Sequence, residues 1–241
     1  MALPTVNTPP RFVEYKAEVI SVEDPIADHR IIRFKLLEPD TIDFVPGQFV
    51  QVIIEGIPHP SSFSIASSPQ DKNEIELAYH KVGRVTGAMS MMRPGAQCTL
   101  RGPLGRFTFS AEDGNAVALA GGVGITPFIS ALRFIRDLRL PNKYAIFYSA
   151  KTKDGLLYFD ELKEIDESHN NLDVIFTTTR EASPDWAGET RRVDAAMITS
   201  HVPDYKERTY YICGPKPFID GMIELLKGID IPDEQIKREL W

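Results

Sequence analysis

The chain has 241 residues, 43% hydrophobic and 25% charged, which suits one large domain or two ordinary ones and argues against wholesale disorder and fibrous repeats. A formal net charge of −7, with no densely basic stretch, argues against a general nucleic-acid or anionic-membrane binder. Two cysteines in no paired spacing, Cys98 and Cys213, exclude a disulfide scaffold, a zinc ribbon and a four-cysteine iron–sulfur cluster, and point to the cytoplasm.

The opening MALPTVNTPPRF has no apolar run behind a basic flank and does not read as a secretory signal. From Arg11 to about Phe109 come short β-type runs, FVEYKAEVISV, HRIIRFKLL, QFVQVIIEG, SFSIASS, EIELAYHKV and QCTLRGP, divided by turn material such as EPDTIDFVPG and PQDKN. That pattern predicts an antiparallel barrel or sandwich, with a brief helix over Met89–Met92. SAEDGN, around Ser110–Gly114, interrupts two ordered patterns, so the division falls between 1–111 and 112–241.

The second half alternates strand and helix. AVALAGG precedes TPFISALRFIRDLR, in which Phe128, Ile129, Leu132, Ile135 and Leu138 mark a helical face. KYAIFYSA, LDVIFTTT and TYYICGP are each followed by a helical segment, and QIKRELW reads as a last strand. Continuous apolar strands separated by helices predict a doubly wound α/β domain whose parallel sheet holds ligands outside its carboxyl edge. The uncharged stretch Gly114–Leu132 is long enough to span a membrane, but its glycines and Pro127 fit a strand, a turn and a buried helix better.

AVALAGGVGITPF is the most informative segment. Glycine allows close backbone approach, and the free N–H groups of a helix start suit a phosphate; a purely structural turn is the alternative. In TYYICGPKPF, Cys213 ends a strand at the same sheet edge, either as a small buried residue or as a thiol beside a cofactor ring. None of the five histidines makes a recognisable dyad with it, which weighs against a thiol hydrolase.

In order along the chain, VPGQFV, SSFSIASSP, HKVGRVTGAMS, LRGPLGRF, LAGGVGITPF, YSAKTKDGLLYFDEL, ICGPKPF and ELW resemble the ferredoxin–NADP reductase family of flavin oxidoreductases. The resemblance implies an N-terminal six-stranded antiparallel β-barrel that binds FAD and a C-terminal five-stranded parallel sheet that binds NADP(H), with NAD(H) as the alternative. It assigns Ser61, Ser62, Phe63 and Ser64 to the flavin, with Phe63 against the ring and Ser64 near N5. His80, Lys81, Gly83, Arg84, Val85 and Thr86 form the accompanying loop. Gly121, Gly122, Gly124, Thr126, Gly214 and Pro215 go to the nicotinamide nucleotide, and Cys213 to the neighbourhood of nicotinamide C4. Glu239 and Trp241 match the family's carboxyl-terminal ending, Trp241 covering the flavin and Glu239 positioning or protonating groups there. Lys151, Arg180 and Arg191 offer a clamp for the 2′-phosphate of NADPH.

The chain departs from the family at one position. The arginine that neutralises the flavin pyrophosphate is replaced by Ser61, at a cost of about 1.5–3 kcal/mol for a lost charge-assisted hydrogen bond. The expected activity is hydride transfer from NADPH to flavin and onward transfer of electrons to a separate ferredoxin, flavodoxin or oxygenase component. Ser61 also motivates an alternative, a non-catalytic electron-transfer subunit with weakened flavin binding; a free-flavin reductase is a third possibility. Arg133, Arg136 and Arg139 read either as a docking face for an acidic carrier or as an ordinary wet helix face.

Overall fold

The computed structural model describes residues 12–26, 28–181 and 183–240. The first six strands are β1 (Val13–Glu23), β2 (His29–Glu38), β3 (Phe49–Ile53), β4 (Ser61–Ser64), β5 (Glu74–His80) and β6 (Gln97–Leu104). They pair antiparallel in the order β4-β3-β6-β1-β2-β5. A bridge between Ile65 and Leu77 joins the two ends, so the sheet is a nearly closed barrel and not a sandwich.

Period-two alternation sends Ala17, Val19, Ile32, Phe34, Leu36, Val50, Val52, Ile75, Leu77 and Leu100 into its interior. Helix α1 (Arg84–Met91) covers one side through Val85 and Met89. It starts five residues before the predicted Met89, because the Thr86 hydroxyl accepts hydrogen bonds from the Gly83 and Val82 N–H groups at 2.7 and 3.1 Å and fixes the first turn.

The second half contributes β7 (Ala116–Gly121), α2 (Thr126–Leu138), β8 (Tyr144–Ala150), α3 (Phe159–Ser168), β9 (Leu172–Thr178), α4 (Ala195–His201), β10 (Thr209–Gly214), α5 (Lys216–Gly228) and β11 (Ile236–Leu240). Its five strands are parallel in the order β11-β10-β7-β8-β9. Val117, Leu119, Phe147 and Ile212 face α4 and α5. Ala118, Ala120, Tyr148, Tyr211 and Cys213 face α2, α3 and the barrel, and Phe107 and Phe109 at the barrel's end share that core. Phe109 meets Tyr144 edge to face at 4.9 Å, and Phe107 meets Tyr211 at 5.6 Å.

Polar contacts reinforce this junction. The Ser130 hydroxyl donates to the Ser67 carbonyl at 2.7 Å. Arg133 on α2 donates to Glu76 on β5 (2.7 Å), to the Ala66 carbonyl (2.8 Å) and to Glu161 on α3 (2.6 Å), while Arg33 holds the other Glu76 oxygen at 2.5 Å. Arg133 and Glu76 are only 8% and 3% exposed. Of the two readings of Arg133, Arg136 and Arg139, a docking face or a wet helix face, neither holds for Arg133, which is an internal tie between barrel and sheet. Among the described residues, no helix is long and apolar enough to cross a membrane.

Candidate functional site

Where the barrel meets the carboxyl edge of the parallel sheet there is a cleft of about 280 Å³. Ser61, Ser62, Phe63 and Ser64 form one wall, Ala78, Tyr79 and His80 a second, and Val82, Gly83 and Thr86 the third. Val123 and Thr126 reach it from the glycine turn of the second half. Phe63 pairs in register with Val50, so it leans over the barrel interior and packs on Tyr79 at 5.7 Å while its rim stays in the cleft.

Parallel register sets Ala120, Cys213 and Glu239 side by side across β7, β10 and β11. Glu239 reaches over to the Ser64 hydroxyl of the barrel, while its Oε2 is buried with no hydrogen-bond partner among the described residues. Burial pushes the Glu239 carboxyl up to about 7, against a downward pull from the Ser64 hydrogen bond. The carboxyl thus holds a proton below neutrality and loses it just above. Cys213 lies beneath this edge, 1% exposed, on the face that packs toward the barrel.

The glycine turn has two separate reasons for its composition. Gly122 has φ +56°, with open space where a side chain would point. At Gly124 a Cβ would lie 2.3 Å from the Cys213 carbonyl oxygen and 2.8 Å from the Gly214 nitrogen. The structural explanation therefore holds for Gly124, whereas the backbone at Gly122 is open to an approaching anion. Gly121 and Gly214 face each other beneath the turn against Phe218, and Pro215 caps the start of α5.

The remaining sequence-derived residues divide. Lys81 is bound to Asp24 at 2.7 Å, and Arg84 is exposed at the start of α1. Val85 points into the barrel core, so only its backbone is available to a ligand. Lys151 and Arg180 stand exposed at the ends of β8 and β9, joined by a 2.7 Å bond from the Arg180 N–H to the Lys151 carbonyl. Arg191 is exposed and ion-paired with Glu189 and Asp194 at the surface. Trp241 lies outside the described residues.

Sequence reading missed Ala78, Tyr79, Val82 and Val123; the apolar run of β5 and the bulky residue between the turn's glycines were the available signals. A wider groove of about 680 Å³ along β9 is lined by Phe159, Trp186 and His201 and by none of the residues chosen from sequence.

Residues 16–109 match the family model described as "Oxidoreductase FAD-binding domain", and residues 118–223 match "Oxidoreductase NAD-binding domain". The chain belongs to the ferredoxin–NADP reductase family. It is 28% identical over 233 residues to the reductase component of propane 2-monooxygenase from Mycolicibacterium goodii, covering 92% of this chain and 66% of that one. It is 30% identical over 210 residues to the glycine betaine monooxygenase reductase subunit of Pseudomonas aeruginosa, covering 83% and 57%. The chain thus spans less than two thirds of the length of these relatives. The crystal structure of the Amycolatopsis cytochrome P450 reductase GcoB superposes with a TM-score of 0.82 at 21% identity, covering 95% of this chain and 69% of that one.

The donor set of the cleft fits the family's flavin. A partly buried aromatic ring packed on a second ring, and three serine hydroxyls, together offer a flat apolar surface with polar groups at its rim.

Proposed function

We propose that this chain is an NAD(P)H-dependent flavin reductase unit that passes electrons to a separate partner such as ferredoxin, flavodoxin or an oxygenase component. In this reading residues 1–111 form the FAD-binding domain and residues 112–241 the NAD(P)-binding domain. The observation that carries it is the contact of Ser64 with Glu239, which joins the barrel's candidate flavin strand to the sheet edge that also holds Cys213.

FAD would be held by Phe63 and Ser64 at its ring and by Gly83, Thr86 and His80 along the cleft. The nucleotide would lie over Gly122 and against the Cys213–Pro215 strand end. Bound flavin supplies the conversion of a two-electron hydride into single electrons. The protein's own part is to bring two rings together, exclude water and hold a proton at Glu239 beside the Ser64 hydroxyl. Lys151 and Arg180 support NADPH over NADH at the outer end of the nucleotide, since exposed cations at one sheet edge suit an added phosphate.

Visible absorbance on FAD addition tests the reading: saturable flavin binding is expected, and protein that saturating FAD cannot reconstitute would overturn it. Restoring a cation through Ser61→Arg is expected to tighten FAD by about one to two decades, because Ser61 lines the cleft. An unchanged dissociation constant would mean that this strand end does not face the phosphates.

The reductive single turnover is expected to inflect near pH 7, where Glu239 changes charge. Glu239→Gln should remove the inflection, and its persistence in that variant would assign it elsewhere. Ser61 also favours a second reading, an electron-transfer subunit whose flavin exchanges readily. Flavin loss on desalting, together with retained nucleotide binding, would identify that case.

A further inference from the structure

Of the described residues that line the cleft, His80 is the one whose side chain can carry positive charge. It stands on the same cleft surface as Gly83 and Thr86, and its carbonyl accepts the Val82 N–H at 3.0 Å in the turn leading to α1. Its ring stacks on His29 of β2, with centroids 4.7 Å apart and planes inclined by 12°. This stack follows from register, because His29 and His80 are direct partners on β2 and β5. The His29 Nδ1 is buried and has no hydrogen-bond partner among the described residues.

We propose that His80, braced face to face on His29, is the proton-linked counter-charge for the flavin diphosphate, standing in for the arginine that position 61 lacks. The inference rests on the flavin reading above and adds to it a residue, a ligand group and a direction of pH dependence. Two stacked imidazoles repel when both are charged, so a charge on one disfavours a charge on the other. Burial holds His29 below the ordinary histidine range; His80 and Lys81 push the same way, and Asp28 opposes them. His80 is the ring of the pair that reaches the cleft.

Lys81 is bound to Asp24, Asp24 is also bound to Arg30, and Arg84 is exposed at the start of α1. The Ser61–Ser64 wall and the Val123–Thr126 wall carry no charged side chain. Glu239, beside Ser64, is pushed up to about 7 by burial, and its contribution must be separated from that of His80 by experiment. Two phosphate charges entering the cleft favour imidazolium, so FAD takes up a proton as it binds and its affinity falls as pH rises.

The test is the FAD dissociation constant, measured by flavin fluorescence between about pH 5.5 and 8.5, with circular dichroism to confirm that each variant is folded. The expected result is roughly tenfold weaker FAD binding at pH 8 than at pH 6, the size of a single charge-assisted hydrogen bond to phosphate. His80→Gln should bind FAD weakly at all pH values, with no slope. His29→Phe, which keeps a stacked ring but removes its charge, should move the weakening to higher pH. Glu239→Gln should keep the slope, and riboflavin, which has the ring but no phosphate, should show none. Failure of FAD to bind at any pH overturns the flavin reading itself. FAD binding with no slope, a slope that survives His80→Gln, or an equal slope for riboflavin overturns the role of His80 and leaves the flavin reading standing.

Discussion

Replacing Arg133 with methionine is expected to lower the unfolding free energy by about 3–5 kcal/mol, the usual cost of removing one partner from a buried ion pair. The guanidinium joins three segments: Glu76 in the barrel, the Ala66 carbonyl at the barrel's closing bridge, and Glu161 on α3. Without it, Glu76 stays buried with Arg33 as its remaining cation, and the Ala66 carbonyl loses a donor. Urea unfolding at neutral pH measures the loss, and a change below about 1 kcal/mol would show that the junction does not depend on this tie.

The double replacement of Arg133 by methionine and Glu76 by leucine should recover much of the stability, because an apolar pair avoids stranding a charge. The pH dependence has a definite sign. Burial pushes the Glu76 carboxyl up, and Arg133 and Arg33 more than reverse this, so it titrates below its ordinary value of 4.5. Its contribution is present above that value and is lost as pH falls through the lower folded one. Wild-type and Arg133→Met stabilities should therefore converge in acid.

Gly124→Ala is expected to cost about 1–3 kcal/mol of stability and to slow reduction by nicotinamide nucleotide on the order of 100-fold, with FAD affinity retained. The added carbon would meet main-chain atoms of Cys213 and Gly214, which are held between β7 and β11 and cannot rotate away. Either the glycine turn or the end of β10 must shift, and both belong to the nucleotide side of the site. Gly122→Ala is the informative companion. Its Cβ meets nothing within 4 Å, so its cost is the left-handed backbone alone, about 1 kcal/mol. Equal effects of the two substitutions on single-turnover reduction would contradict the close-packing account of Gly124.

Much of the architecture was legible because it rests on local periodicity. The two-residue alternation of HRIIRFKLL and the unbroken apolar run of AVALA are visible without partners, and they produced a barrel followed by a parallel sheet. Sequence pattern alone left barrel and sandwich open; the Ile65–Leu77 bridge that distinguishes them joins strands β4 and β5 across the whole sheet order.

What escaped was non-local pairing of charge. Arg133 and Glu76 are 57 positions apart, and a lone arginine on a helix looks solvated until its partner is placed. The carboxylates that pair with Arg191, Glu189 and Asp194, are by contrast its near neighbours in sequence. The His29–His80 stack depends on strand register, which composition does not reveal. Ser64 and Glu239 were both chosen by resemblance, and the structure brings them into contact; Trp241 lies outside the described residues.

The central claim is that two redox rings meet at the junction marked by Ser64, Cys213 and Glu239. Anaerobic stopped-flow mixing of FAD-loaded protein with NADPH, and separately with NADH, tests it most directly. The account predicts a single-turnover loss of the flavin absorbance band, faster at limiting concentration with NADPH, and slowed in Cys213→Ala without loss of bound FAD. Bound flavin that neither nucleotide bleaches at saturation would contradict it.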